Sequence, residues 1–168
     1  MQSLENWLKQ EPDYTEAVVG FLLREDEVLL GVRKMVSNDL GKNNYAGIGG
    51  KLEQGEDLDG CLRREIEEEI GVQATEYRST GNVRFINPHN PRWNMRVEIY
   101  VITDWEGEPI ETEVIKPVWF SREDIPYANM FRDNQFWLPK VLEGQRVEGV
   151  FLFGEDHEVE EMQVATVA

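Results

Sequence analysis

Three glutamates, Glu65, Glu68 and Glu69, fall at positions i, i+3 and i+4 of a segment that reads as one helix. Residues so spaced are neighbours on the helix surface, where each like-charge pair costs about 0.2–0.5 kcal/mol. They also sit in the last turns, where the helix dipole disfavours anions. A hard divalent cation offsets both costs, because Mg²⁺ takes carboxylate oxygens while keeping several waters. The plain alternative is a solvated acidic face. Helical geometry argues against it. At about 100° per residue, Leu58, Cys61, Leu62, Ile66 and Ile70 form one apolar arc. Glu65 and Glu69 project inside that arc, Glu68 lies at its edge, and Glu56, Arg63 and Glu67 fall on the far side. Buried carboxylates need partners, and the one guanidinium in view, Arg64, cannot neutralise three acids. The pattern is that of a metal site.

The elements around this helix must hold it against a sheet. Ser3 to Gln10, with a capping serine and Leu4, Trp7 and Leu8 at helical spacing, predicts a short N-terminal helix that Glu11-Pro12-Asp13 ends. Thr15 to Leu23 reads as a buried strand and Glu27 to Val32 as its continuation or hairpin mate. Lys34 to Tyr45 is polar and reads as a loop, followed by the glycine-rich Gly47-Ile-Gly-Gly50. Glycines there allow close backbone approach, which makes the Gly50 carbonyl a candidate metal ligand. Beyond the helix, Thr75–Ile86, Met95–Thr103 and Val118–Ser121 read as strands, and Asn134–Leu142 as a second amphipathic helix. Val147–Phe153 and Glu158–Val164 close as a hairpin. Strands mixed with two longer helices predict a layered α/β domain over residues 13–168, with residues 1–12 as a helical extension.

Composition narrows the partners. A chain of 168 residues is expected to be one domain, burying about 70% of its unfolded surface. Seventeen basic against thirty-three acidic residues give a net charge of −16, a field that repels nucleic-acid polymers and anionic membranes. A nucleotide would be repelled too, so a counter-ion is needed for one to bind. Cys61 is single and lies on the apolar arc, where a packing role is expected. Met1 to Lys9 has no signal-peptide pattern and no run approaches eighteen apolar residues. A reducing, cytoplasmic compartment is the expectation.

Gly50, Glu56, Arg64, Glu65, Ile66, Glu68, Glu69, Gly71 and Val72 match, at every specified spacing, the signature of the Nudix hydrolases. The chain resembles that family. The resemblance implies an α/β/α sandwich with a mixed sheet. It also implies Mg²⁺ or Mn²⁺ bound by the loop–helix–loop, and cleavage of a diphosphate linked to another moiety. Carried over position by position, it places metal ligands at Gly50, Glu65, Glu68 and Glu69, with Glu56 supporting the metal loop and Arg64 orienting it. Glu65, Glu68, Glu69 and Arg64 form the expected catalytic set, Glu68 or Glu69 being the candidate base.

A longer resemblance, from Glu16 onward, is to the MutT-homologue purine nucleoside triphosphate diphosphatases of animals. It runs through Val28-Leu-Leu-Gly31, Gly47 to Lys51, Lys116 to Phe120, Asp124-Ile-Pro126, Phe136 to Pro139 and Glu148 to Gly154. It implies a small-molecule nucleotide substrate such as 8-oxo-dGTP, cut to monophosphate and pyrophosphate. Lys51 would meet phosphate, and Phe131, Asp133 and Asn134 would bind the base; Phe85 is a further candidate substrate contact, with core packing as its alternative. The base pocket departs from that branch. Phe131 stands for a tryptophan, Asn134 for a second aspartate, Ala46 for an asparagine and Val114 for a glutamate, with Glu113 one residue early. Trp119 and Trp137 read as core, and His89 and His157 as turn residues outside the chemistry. Two rivals remain: hydrolysis of ADP-ribose or a dinucleotide, weakly suggested by Pro88, and a non-catalytic regulatory module, which the intact signature disfavours.

Overall fold

The computed structural model describes residues 2–34 and 45–167. Most of the expected loop from Lys34 to Tyr45 therefore lies outside the described residues.

The chain runs through α1 (Leu4–Lys9), β1 (Thr15–Arg24), β2 (Glu27–Arg33), β3 (Tyr45–Ala46), β4 (Ile48–Lys51) and α2 (Leu58–Ile70). It continues through β5 (Gln73–Ile86), β6 (Met95–Glu106), β7 (Ile115–Ser121), α3 (Asn134–Leu142), β8 (Arg146–Phe153) and β9 (Val159–Val167). The mixed sheet follows the order β3-β2-β1-β6-β5-β8-β9, with β4 added to β1 and β7 to β2. The β1/β6 and β5/β8 pairs are parallel and the others antiparallel. Two of the strands were not read from sequence as strands. β3 lies just before the glycine-rich segment and β4 within it, where tertiary pairing overrides weak local strand preference. Gly49 is required by that pairing: a Cβ there would come within 1.9 Å of the Val18 carbonyl oxygen.

Helices cover both faces. α2 lays Cys61, Leu62, Ile66 and Ile70 against Val18, Leu22, Tyr100 and Ile102. α3 lays Trp137, Leu138 and Val141 against Phe21, Val97, Ile99 and Phe151 on the other face. Strand alternation makes this possible, because neighbouring side chains of β8 point to opposite faces: Phe151 and Phe153 join the α3 core, while Val150 and Leu152 meet Leu4 of α1. The fold is thus an α/β sandwich around a mixed sheet. α1 forms as its composition dictates, with Ser3 Oγ accepting from the Asn6 N–H at 3.2 Å. No helix among the described residues is long and apolar enough to cross a membrane.

Local rules also fix α2. Asp57 caps its start, the carboxylate accepting from the Gly60 N–H at 2.7 Å. Gly71 ends it in the left-handed region at φ 72°, its N–H donating to the Glu67 carbonyl. The last turn carries no basic residue of its own; within α2 only Arg64, one turn earlier, reaches an acid there, Glu68.

Candidate active site

Because α2 packs across β4, the acidic stretch of the helix meets the backbone of Gly49 to Lys51. The inner carboxylates sit where the apolar arc placed them. Glu69 is only 7% exposed and its Oε2 is buried without a hydrogen-bond partner. Glu65 lies so close to Gly50 that a Cβ on that glycine would stand 2.5 Å from the Glu65 carboxylate. Glycine at 50 therefore lets a carboxylate rest against bare backbone.

Two expectations need correction. The three acids do not share one environment: Glu65 and Glu68 meet at Arg64 Nη1, but the Glu68 side chain is 59% exposed while Glu69 is buried. Among the described residues, no three His, Cys, Asp or Glu side chains gather in a group that could hold a metal. Guanidinium groups pair with the carboxylates instead. Arg64 donates from Nε and Nη2 to both oxygens of Glu56, at 2.6 and 2.9 Å, and from Nη1 to Glu65 at 2.8 Å and Glu68 at 3.1 Å. Its Nη2 also reaches the Lys51 carbonyl at 3.2 Å. Glu56, expected on the solvated side of the helix, instead precedes it and is held against Arg64, which keeps its carboxyl down at about 2.

Arg64 is also not alone. Arg33, at the end of β2, donates to Glu69 Oε1 at 3.0 Å and to the Gly49 carbonyl at 3.5 Å. Nothing local announced it; only the β1–β2 hairpin, folding over β4, brings residue 33 to residue 69. Even so, burial pushes the Glu69 carboxyl up to about 7, with Arg33 opposing the shift and Glu65 adding to it.

The residues present suit a hard divalent ion. The donors are all oxygens, Glu69 Oε2 is a buried acceptor lacking a partner, and the Gly50 backbone lies open against Glu65.

Beside this corner opens a cavity of about 510 Å³. Lys51, Arg33 and Ala46 line the part nearest the carboxylates, and Phe85, Phe131, Asp133 and Asn134 line other walls. The five residues expected to touch substrate, Lys51 included, thus share one cavity. Phe131 is 41% exposed, whereas Asp133 is 3% exposed and accepts from the Trp137 indole N–H at 2.8 Å. Burial raises the Asp133 carboxyl to about 6, against the lowering effect of that hydrogen bond. Asn134 donates its amide to the Phe131 carbonyl at 3.0 Å and so ties the loop to the helix. Trp137 is core, as expected, but is also a wall of the cavity. Trp119 is partly buried against the α2 core. Sequence reasoning missed Trp93 and set His157 aside, yet both line the cavity.

The NUDIX domain model matches residues 13–145. The chain belongs to the Nudix family. It is a Nudix hydrolase, an enzyme of phosphoric anhydrides. It is 33% identical over 138 residues to an oxidized purine nucleoside triphosphate hydrolase of Danio rerio, covering 82% of this chain and 85% of that one. The Mus musculus protein of the same name is 31% identical, covering 79% of this chain and 82% of that one. A MutT protein of Bacillus halodurans has the same fold, with a TM-score of 0.77 at 20% identity over 89% of this Nudix hydrolase and 97% of that chain. Members of the family generally require a divalent metal ion.

Proposed function

We propose that this Nudix hydrolase cuts purine nucleoside triphosphates, oxidised ones such as 8-oxo-dGTP foremost, to nucleoside monophosphate and pyrophosphate. The observation that carries the reading is one continuous cavity. It runs from Lys51 and Arg33 beside the carboxylates to Phe131 and the buried Asp133. Its size suits a small organic ligand. The zebrafish and mouse relatives, named for oxidised purine triphosphates, support the same substrate class. Residues 13–168 would act as the catalytic domain with residues 1–12 as an extension, in the cytoplasm, on small-molecule nucleotides.

Glu65, Glu69 and the Gly50 carbonyl, with Glu68 on the solvent side, would hold Mg²⁺ or Mn²⁺. When bound, such an ion activates water and neutralises charge on phosphate oxygens. The chain supplies the rest. Arg64 fixes Glu56, Glu65 and the end of β4 in one frame. Lys51 and Arg33 offer cations to the phosphates. Water attacks, the α–β anhydride bond breaks, pyrophosphate leaves, and the proton of the water passes to a base. Glu68 or Glu69 takes that proton, the first from the solvent side and the second from the buried side of α2. At the other end, Phe131 stacks on the base and Asp133 reads its edge. Oxidation at C8 of guanine turns N7 from acceptor into donor, and an ionised carboxylate pairs with a donor.

The test is pyrophosphate release from 8-oxo-dGTP, dGTP, 2-hydroxy-dATP, dATP and ADP-ribose, with Mg²⁺ and after chelation. The oxidised purines should give the highest kcat/KM. A preference for ADP-ribose overturns the substrate assignment, and full turnover after chelation overturns the metal site.

A further inference from the structure

Two turns meet over the base end of the cavity. The β5–β6 connection contains a short helical turn, Pro91–Trp93, and its backbone is tied on several sides. The Trp93 N–H donates to the Asn90 carbonyl at 2.9 Å, and the Trp93 carbonyl accepts from the Asn87 amide at 2.7 Å. Asn94 accepts from the Asn87 N–H at 2.6 Å, and its carbonyl accepts from the Thr15 N–H at 2.8 Å. The indole on this fixed backbone is nevertheless 37% exposed. The β8–β9 turn brings His157, whose ring centroid lies 5.7 Å from that of Trp93 with 35° between the planes. Both rings line the cavity that holds Phe131 and Asp133.

The position of His157 is informative. Its φ is 65°, a region that glycine fills most readily and that asparagine, aspartate and histidine enter more often than other residues. An imidazole carried on such a turn can act through what it touches. It touches Trp93 and the cavity. An aromatic ring on a pinned loop loses little conformational freedom when a ligand stacks on it. A simple clasp between the turns is the competing explanation.

We propose that Trp93 and His157 form an aromatic wall that stacks on the base of the nucleotide and sets the preference for purines over pyrimidines. The proposal rests on the reading of the cavity as the base site. A two-ring base offers the larger face to this wall, so a one-ring base gains less from it.

The experiment is calorimetric binding of 8-oxo-dGMP, dGMP and dCMP to the full chain in chelator, which removes any contribution from metal or turnover. Wild type should prefer the purines. Trp93→Ala should weaken both purines by about tenfold, the scale of base–aromatic stacking, and dCMP by a smaller factor, so that the purine preference shrinks. Trp93→Phe should restore most of the loss. His157→Asn keeps the favoured backbone and should weaken purines severalfold at an unchanged melting temperature. If wild type prefers purines while Trp93→Ala and His157→Asn bind them within twofold of wild type, the wall is only a clasp. If wild type binds none of the three, the base-site reading falls and the wall falls with it.

Discussion

At the carboxylate corner, the acids come from α2 and the residues just before it, and the bare backbone comes from β4 a few residues earlier. Only Arg33 arrives from a distance. Around the cavity the walls come from each of β1 to β6, from β8 and α3, and from four connections. The corner is built from charge on charge, so its chemistry follows from spacing along one helix. The cavity is built from surfaces that meet only when the sheet closes. Reaction type is therefore written locally and substrate choice is not. Substitutions can be ranked by which of the two regions they disturb.

The largest effect is expected at Glu69. Replacing it with Gln removes a carboxylate and a candidate base together, so kcat should fall by about 10²–10⁴. Stability should move the other way in the metal-free protein. The folded carboxyl titrates near 7, above its ordinary 4.5, so the folded state binds the proton more tightly. That contribution is complete below about 4.5 and is lost as pH rises through about 7. Glu69→Gln should thus melt no lower than wild type at pH 8. A variant that melts far lower yet keeps its turnover would make Glu69 a structural residue. Glu68→Gln should also cost turnover by an order of magnitude or more. Being exposed, it should leave the melting temperature nearly untouched.

Next comes Arg64. Its guanidinium bridges Glu56, Glu65, Glu68 and the Lys51 carbonyl, and a lysine ammonium cannot reproduce the two-pronged contact with Glu56. Arg64→Lys should lower the urea midpoint, because the two-pronged charge-assisted contact with Glu56 is lost. Activity should fall with it, because Glu65 loses its anchor. Urea unfolding combined with kcat/KM measures both. An unchanged midpoint would mean that Glu56 and Glu65 are held by something other than Arg64.

The sequence made the α2 carboxylates legible because helical periodicity says which side chains share a face, and burial of Glu69 followed from that alone. It could not show how the charge is compensated. The pairing of Arg33 with Glu69 spans 36 residues, and no periodicity carries that information. Glu56 departs from its expected place for a related reason: it precedes the Asp57 cap, so helical angles do not apply to it. In the cavity, Phe131 and Asp133 were legible only through resemblance and their polar loop setting. Trp93 and His157 carried no signal, since their meeting depends on two turns about 60 residues apart being brought together by the parallel pairing of β5 with β8. The glycine-rich strand β4 was hidden because its glycines answer to the neighbouring strand rather than to strand preference.

Asp133 should give a smaller and more selective effect. Its buried carboxyl titrates near 6 rather than 3.8, so its stabilising contribution is complete below about 3.8 and is lost as pH rises through about 6. Two units correspond to about 3 kcal/mol at most. Asp133→Asn keeps an oxygen for the Trp137 indole and should be the more stable protein at pH 8, with the advantage vanishing near pH 4. It should also lower the ratio of kcat/KM for 8-oxo-dGTP over dGTP by about tenfold, a loss of about 1.4 kcal/mol in discrimination. In wild type the same ratio should decline as pH falls through about 6. Taking the ratio cancels the titration of Glu69, which affects both substrates alike. A ratio flat in pH and unmoved by the substitution would put base reading elsewhere.

The smallest effect is expected at Phe131, and it sharpens the distinction between reading a base and merely holding it. The ring is 41% exposed in the free protein, so truncation removes little core contact and should change stability by less than about 0.5 kcal/mol. Stacking depends on the face of the base and not on the donors and acceptors at its edge. Phe131→Ala should therefore raise KM severalfold for every purine, with the 8-oxo-dGTP to dGTP ratio within twofold of wild type; aromatic contacts of this kind are worth about 0.5–1.5 kcal/mol. Asp133→Asn should do the reverse, shifting the ratio more than the average. Steady-state kinetics on both variants with the same two substrates separates the roles. If Phe131→Ala shifts the ratio as strongly as Asp133→Asn, the loop reads the base as one unit, held together by the Asn134 amide on the Phe131 carbonyl, and the division between platform and reader fails.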